Sequence, residues 1–247
     1  MDATAVQDVS LDTGYWKRNL IVCFLGSVTT IVAMTLLLPF LPLYVEQLGV
    51  TDHAAIVQWS GIAYGATFLT MYLLITRGHH QPFWQGVRWI WPKRKSAVAG
   101  LVALGVPLAI TVASLENVLP MPSHVPFEKL FTGAAAAYGI GFFAITIAPL
   151  MEELFFRGFL YPVLRRFGSI GGVTLTSLAF AVLHGSQYGW GWSVGIMFLV
   201  GLVLTIARAW SGSVVPGFLI HAGYNLSLFV SLYIATDHFQ HLDKLTQ

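Results

Sequence analysis

The hydrophobic pattern of the chain is one of long apolar runs separated by short polar joints. A membrane-crossing helix needs about 20 such residues. Leu20 to Leu38 carries no charge, nor does Ala54 to Ile75, and Ala97 to Leu115 is a third run. A fourth lies within Leu130 to Arg166 and is interrupted by charges. Gly171 to Tyr188, Trp190 to Ala207 and Val214 to Ile234 complete the set. The first run is too long for a signal-peptide core and is followed by Pro39 and Pro42, with no small-residue cleavage site. The expected fold is all-α, a polytopic transmembrane helical bundle of about seven spans. The style of the chain divides it into a hairpin over 1–75, a basic aromatic loop over 76–96, a core over 97–236 and a tail over 237–247.

Composition agrees with the runs. Hydrophobic residues make up 56% and charged residues 10%, against about 25% charged in a soluble domain, and mean hydropathy is +0.71. Such a chain lacks the polar surface of a soluble globule and is too apolar to be disordered. A net charge of +2 points to no nucleic-acid partner; the expected environment is a lipid bilayer. The single cysteine, Cys23, excludes an intramolecular disulfide and a Cys-based zinc cluster. Basic residues collect on the cytoplasmic side. With the N-terminus inside, Lys17, Arg18, Arg77, Arg88, Lys93, Arg94, Lys95, Arg157, Arg165, Arg166 and Arg208 fall inside, and only Lys129 and Lys244 outside. The C-terminus is then expected outside. The loop from Arg77 to Ser96, with Phe83, Trp84, Trp89 and Trp91, suits headgroup depth.

Ionisable residues inside apolar runs are costly and direct attention to function. Three places hold them: Glu152, Glu153 and Arg157 in "MEELFFRGF", His184 in "FAVLHG", and His221 with Asn225 in "LIHAGYN". Glu153 and Arg157 are four apart and share a helix face, which a structural ion pair explains. Glu152 lies about 100° round the helix and is left without a partner from that pair. A desolvated carboxylate is a competent proton acceptor near neutral pH. His184 alone reads as a satisfied polar residue, and His221 with Asn225 as a polar stripe bonding to a neighbouring helix.

Taken together they read differently. Measured from Arg165, Gly171 and Ser213, the polar groups of the three helices reach overlapping depths of roughly 12–20 Å at 1.5 Å per residue. This requires the fourth run to be one long helix, kinked at Pro149, that does not end at Leu150. A carboxylate, two imidazoles and a carboxamide at one depth form a hydrolytic set: Glu and His can deprotonate a water, and His or Asn N–H can stabilise an oxyanion. The same Glu152, His184 and His221 could instead ligate zinc. The first 75 residues place no charge in their apolar runs and are expected to stand clear of this site.

"EELFFR", "FAVLH" and "HAGYN" resemble, in order, the EExxxR, FxxxH and Hxxx(N/D) motifs of the CPBP family, the type 2 CAAX prenyl proteases and their bacteriocin-processing relatives. The residues are Glu152, Glu153 and Arg157, then Phe180 and His184, then His221 and Asn225. The resemblance implies an intramembrane endopeptidase in a bacterial plasma membrane, in which Glu152 and His184 activate water. His221 and Asn225 would stabilise the oxyanion or bind a metal, and the substrate would be a membrane protein or lipidated peptide. No cofactor is favoured, zinc being the alternative. The start of the chain instead resembles the first two helices of major facilitator transporters, through Asn19, Pro39, Pro42, Gly49, Trp59, Ser60, Gly61 and Gly65. The Gly- and Arg-rich loop those transporters carry next is replaced by "ITRGHHQPFW". The competing readings are a non-catalytic immunity or scaffold protein of the same fold, and a transporter fragment.

Overall fold

The computed structural model describes residues 64–78, 80–122 and 130–242. The predicted first span and residues 54–63 of the second lie outside the described residues. Every regular element among the described residues is helical. Helix α1 (64–73) runs into a π-turn, Leu74–Gly78, and a short α2, Phe83–Gly86, follows. Then come α3 (Lys95–Ala103), α4 (Gly105–Glu116), α5 (Ala134–Ile145) and α6 (Ile147–Glu153). A π segment, Leu154–Leu160, leads to α7 (Tyr161–Leu164) and a 3₁₀ turn, Arg165–Phe167. The chain closes with α8 (Gly168–Tyr188), α9 (Trp192–Ser211) and α10 (Val215–Ala235).

Prolines account for the breaks in these helices. A proline has no N–H for the carbonyl four residues back and crowds it. Pro107 would have met Ala103, where α3 gives way to α4. Pro149 would have met Ile145, where α5 gives way to α6 at Thr146, with φ −116° and ψ −69°. The kink therefore falls three residues before Pro149, and the helix continues through Leu150 as the shared depth required. Pro162 stands just after the π segment. Tyr161 N–H bonds to Phe156 O, five residues back, and in that register Pro162 would face Arg157 O. The guanidinium of Arg208 fills the vacant place, Nε donating to Arg157 O at 3.0 Å.

Among the described residues, four helical stretches are long and apolar enough to cross a membrane: Lys95–Glu116, Ala134–Gly185, Trp192–Ser211 and Val215–Ala235. The predicted fourth and fifth runs are merged in the second of these, 52 residues long, whereas a bilayer core needs about 20. It doubles back at Gly168, whose φ of +87° is open to glycine. A Cβ at Gly172 would lie 2.6 Å from Arg165 Cα, so the turn is tight and α8 returns along α7 and the π segment.

Helices α8 and α9 form a hairpin, and α10 packs on α9, α3 and α4. The loop before α3 is stapled to the α9–α10 turn. Arg88 Nε donates to Gly212 O at 2.6 Å, Ser213 Oγ donates to Ile90 O at 2.7 Å, and Val214 N–H bonds to Arg88 O at 3.1 Å. Arg88, Lys93 to Lys95, Arg165, Arg166 and Arg208 thereby gather at one end of the bundle. Exposed Trp84, Trp91 and Trp210 share that end, and exposed Trp190 and Trp192 mark the other, as aromatic girdles do at two interfaces.

The crossing of α3 and α4 with α10 is made by glycine. A Cβ at Gly105 would strike the backbone of Gly223 and Tyr224, and one at Gly223 would strike Val102 O. Small residues allow such backbone approach between membrane helices. Gly105→Ala and Gly223→Ala are each expected to destabilise by about 1–3 kcal/mol through overpacking. Gly100 and Gly139 face open space, and their Ala variants should be neutral or slightly stabilising. Unfolding midpoints of the purified variants in detergent would check this contrast.

Candidate active site

The site begins with a buried ion pair. Arg157 and Glu153 are wholly buried, and Arg157 Nη1 donates to Glu153 Oε1 at 2.7 Å. Arg157 also donates from Nη2 to Gly201 O at 3.1 Å and from Nε to Thr205 Oγ1 at 3.2 Å. Its guanidinium lies 4.7 Å from the Phe180 ring centroid. The i,i+4 pairing expected from sequence is present, although the register between the two residues passes from α into π.

Glu153 has a second partner. His221, on α10, brings Nδ1 to 3.2 Å from Glu153 Oε1. The other carboxylate oxygen, Oε2, is buried without a hydrogen-bond partner among the described residues. It rests on Gly217, where a Cβ would stand 2.5 Å from it. Gly217 is one helical turn before His221, so the turn that presents the imidazole is also the turn that must let the carboxylate approach.

Glu152 points elsewhere, as its 100° offset requires. Its Oε2 lies 3.7 Å from His184 Nε2 and 3.8 Å from His221 Nε2. His184 Nδ1 lies 2.7 Å from Phe180 O, and a carbonyl only accepts, so Nδ1 carries the proton. By the same argument His221 Nδ1–H donates to Glu153. Each ring thus presents Nε2 to Glu152. His184 is also held between rings, with Phe180 at 4.2 Å and Tyr188 stacked at 6.1 Å. The gaps around Oε2 exceed direct hydrogen bonds. A cavity of about 30 Å³ opens beside Glu152 and His184, walled by Tyr64, Phe155, Phe156, Leu183 and Gln187. One water needs roughly 10–15 Å³ of such space.

The fold therefore brings together Glu152, His184 and His221, and joins Glu153 and Arg157 to them through His221. Asn225 is one turn further along α10 and donates Nδ2–H to Ala144 O at 2.6 Å, at the α5–α6 break. One of its two amide N–H groups is thus committed to holding the kinked helix. The sequence search for charges passed over several residues: Gly217, Gly201 and Thr205 around the ion pair, and Tyr64. Tyr64 OH stands 3.4 Å from Glu152 Oε1. The expectation that residues 1–75 stand clear of the site does not hold for that residue. A glycine one turn before a buried histidine is a signal that could have flagged Gly217. Tyr64, a neutral aromatic in an apolar run, offered no such signal.

Long apolar helices enclosing a desolvated Glu–His–His centre define an integral membrane protein with the groups of a hydrolase. Residues 134–227 match the family model described as Type II CAAX prenyl endopeptidase Rce1-like, a match that takes in all three motifs. The chain resembles CPBP family intramembrane proteases over that segment, and the match supports protease activity. A different likeness covers the start of the chain. It is 53% identical over 72 residues to Multidrug resistance protein MdtG of Escherichia coli O1:K1 / APEC, and to the same protein of Escherichia coli (strain K12 / DH10B). That match takes in 29% of this chain and 16% of those proteins. No solved structure matches the chain.

Glu153→Gln leaves Arg157 without its counter-charge and His221 without its carboxylate. Removing one member of a buried pair costs about 3–5 kcal/mol, so this variant should unfold far more readily than wild type. Gly217→Ala should fall short in the same way, because its methyl group displaces Glu153. Glu152→Gln should melt close to wild type. Thermal unfolding of the three purified variants would check the ranking, and equal losses for Glu152→Gln and Glu153→Gln would contradict it.

Proposed function

We propose that the protein is an intramembrane endopeptidase that hydrolyses a peptide bond of a membrane protein or a lipidated peptide. The observation that carries this reading is the convergence of Glu152 Oε2 with two imidazole Nε2 atoms, at 3.7 and 3.8 Å, beside a cavity large enough for water. Glu152 takes a proton from a water held between it and His184. The water oxygen bonds to the carbonyl carbon, and the proton passes to the leaving amide nitrogen as the C–N bond breaks. His221, held at Nδ1 by Glu153, stabilises the oxyanion together with Asn225. Glu153 and Arg157 fix the helix and hold His221. The membrane is bacterial in this reading, with the N-terminus on the cytoplasmic side, where the basic end of the bundle would lie.

Zinc is the alternative, with Glu152, His184 and His221 as the donors that would hold it. A catalytic zinc supplies a water of lowered pKa and needs three protein ligands and a separate base. With Glu152 a ligand, the remaining carboxylate is Glu153, already committed to Arg157 and His221. The donor set fits zinc poorly, and the reading above uses each group once without it. The transporter likeness, confined to a small part of MdtG, carries no competing function.

The test is cleavage of a quenched fluorescent peptide ending in a farnesylated CAAX sequence by the purified chain in detergent. Wild type is expected to cleave, and Glu152→Gln to show no turnover. Removing an oxyanion donor costs roughly 10²–10³ in rate, so Asn225→Ala should retain a measurable residue. Equal rates for wild type and Glu152→Gln would overturn the reading. Activity lost on chelation and restored with stoichiometric zinc would replace it with the metal alternative.

A further inference from the structure

Tyr64 lies outside the segment that matches the protease family, yet it touches the carboxylate on which the proposed chemistry turns. Its hydroxyl donates to Glu152 Oε1 at 3.4 Å, and its ring forms one wall of the cavity beside Glu152 and His184. The contact is built from the sequence of α1. Tyr64, Thr67, Met71 and Ile75 recur at helical spacing, and Thr67, Met71 and Ile75 are buried. That stripe seats the helix on the core. Ile75 packs on Gly86, where a Cβ would strike its side chain, and Phe68 meets Phe83 edge-on at 5.0 Å. The Tyr64 ring packs against Phe143 of α5 at 5.8 Å. Phe143 is next to Ala144, whose carbonyl anchors Asn225. The described part of the helix is thus held at Tyr64, Phe68 and Ile75, and its phenol can reach Glu152.

We propose that Tyr64 is a positioning residue for Glu152. This rests on the reading of Glu152 as the general base. The terminal torsion of a glutamate is broad and two-fold, so a carboxylate without a fixed partner turns either oxygen, or neither, toward its target. A donor on Oε1 leaves Oε2 to face His184 and His221. A neutral phenol does this without supplying a counter-charge that would quench the base. A length of 3.4 Å is long for an O–H···O bond, as catalytic contacts often are before substrate closes the site. The helix that carries Tyr64 is therefore part of the enzyme.

The test uses the full chain in detergent with the farnesylated CAAX peptide. Tyr64→Phe keeps the ring on Phe143 and removes only the hydroxyl. It is expected to lower kcat about tenfold, as for a misplaced reacting group, with KM within twofold of wild type and the unfolding midpoint unchanged. Infrared difference spectra, wild type minus Glu152→Gln, identify the Glu152 carboxylate bands, and Tyr64→Phe should shift them. Replacing Tyr64 by 3-fluorotyrosine, a stronger donor of nearly the same shape, should shift those bands the opposite way and retain turnover. Carboxylate bands that stay in place in both variants overturn the proposal, whatever the rates. If wild type cleaves, Glu152→Gln does not, and Tyr64→Phe matches wild type, the positioning role fails and the protease reading stands. If wild type cleaves no faster than Glu152→Gln, both fail.

Discussion

A guanidinium sealed from water constrains the whole core. Arg157 has no exposed surface, and withdrawing a charge from water costs several kcal/mol unless it is paired and hydrogen-bonded. Glu153 supplies the charge, while Gly201 O, Thr205 Oγ1 and the Phe180 ring take up the rest of the fork. Glu153 lies on α6, Phe180 on α8, and Gly201 and Thr205 on α9, so the pair ties α6 and the π segment to α8 and α9. Glu153 then extends the tie to α10 by accepting from His221 Nδ1. The orientation of His221, and with it one of the two Nε2 atoms facing Glu152, follows from how Arg157 is housed.

The π segment belongs to the same constraint. In the i→i−5 register, the missing N–H of Pro162 falls opposite Arg157 O, and Arg208 occupies that acceptor. One arginine is therefore held from its side chain by Glu153 and from its backbone by a second arginine. Widened turns of this kind recur at functional sites, and here the widening lies between the Glu152–Glu153 pair and α7. The adjacent carboxylates take different surroundings because 100° of helix rotation separates them: Glu153 faces the guanidinium, and Glu152 faces the cavity.

Much of the site was legible in the sequence for a physical reason. A charge in an apolar run is expensive, so Glu152, Glu153, Arg157, His184 and His221 stood out, and counting residues from the basic ends brought them to one depth. Proline chemistry gave the kink near Pro149, though placing it at Thr146 needed the backbone. The turn within 134–185 was legible as the joint between the fourth run, ending at Arg166, and the fifth, starting at Gly171, and it falls at Gly168; the close approach of Gly172 to Arg165 was not. The Asn225 contact was half legible: its spacing from His221 promised a shared side of α10, but nothing local pointed to Ala144 O. Gly217, Thr205 and Tyr64 carry no charge, and a search guided by the cost of charge passes over neutral groups.

That asymmetry explains why the two halves of the chain looked separable. The motifs lie within residues 134–227, and the opening residues resemble a different class of membrane protein. Motif and similarity both follow sequence neighbours, whereas a desolvated carboxylate is completed by whatever donor the packing brings to it. The buried stripe of Thr67, Met71 and Ile75 would seat α1 on the core whatever its origin, since apolar packing needs only complementary shape. Once seated, Tyr64 meets Glu152 on the oxygen that the histidines leave open. A boundary drawn by resemblance is thus compatible with an active site that crosses it.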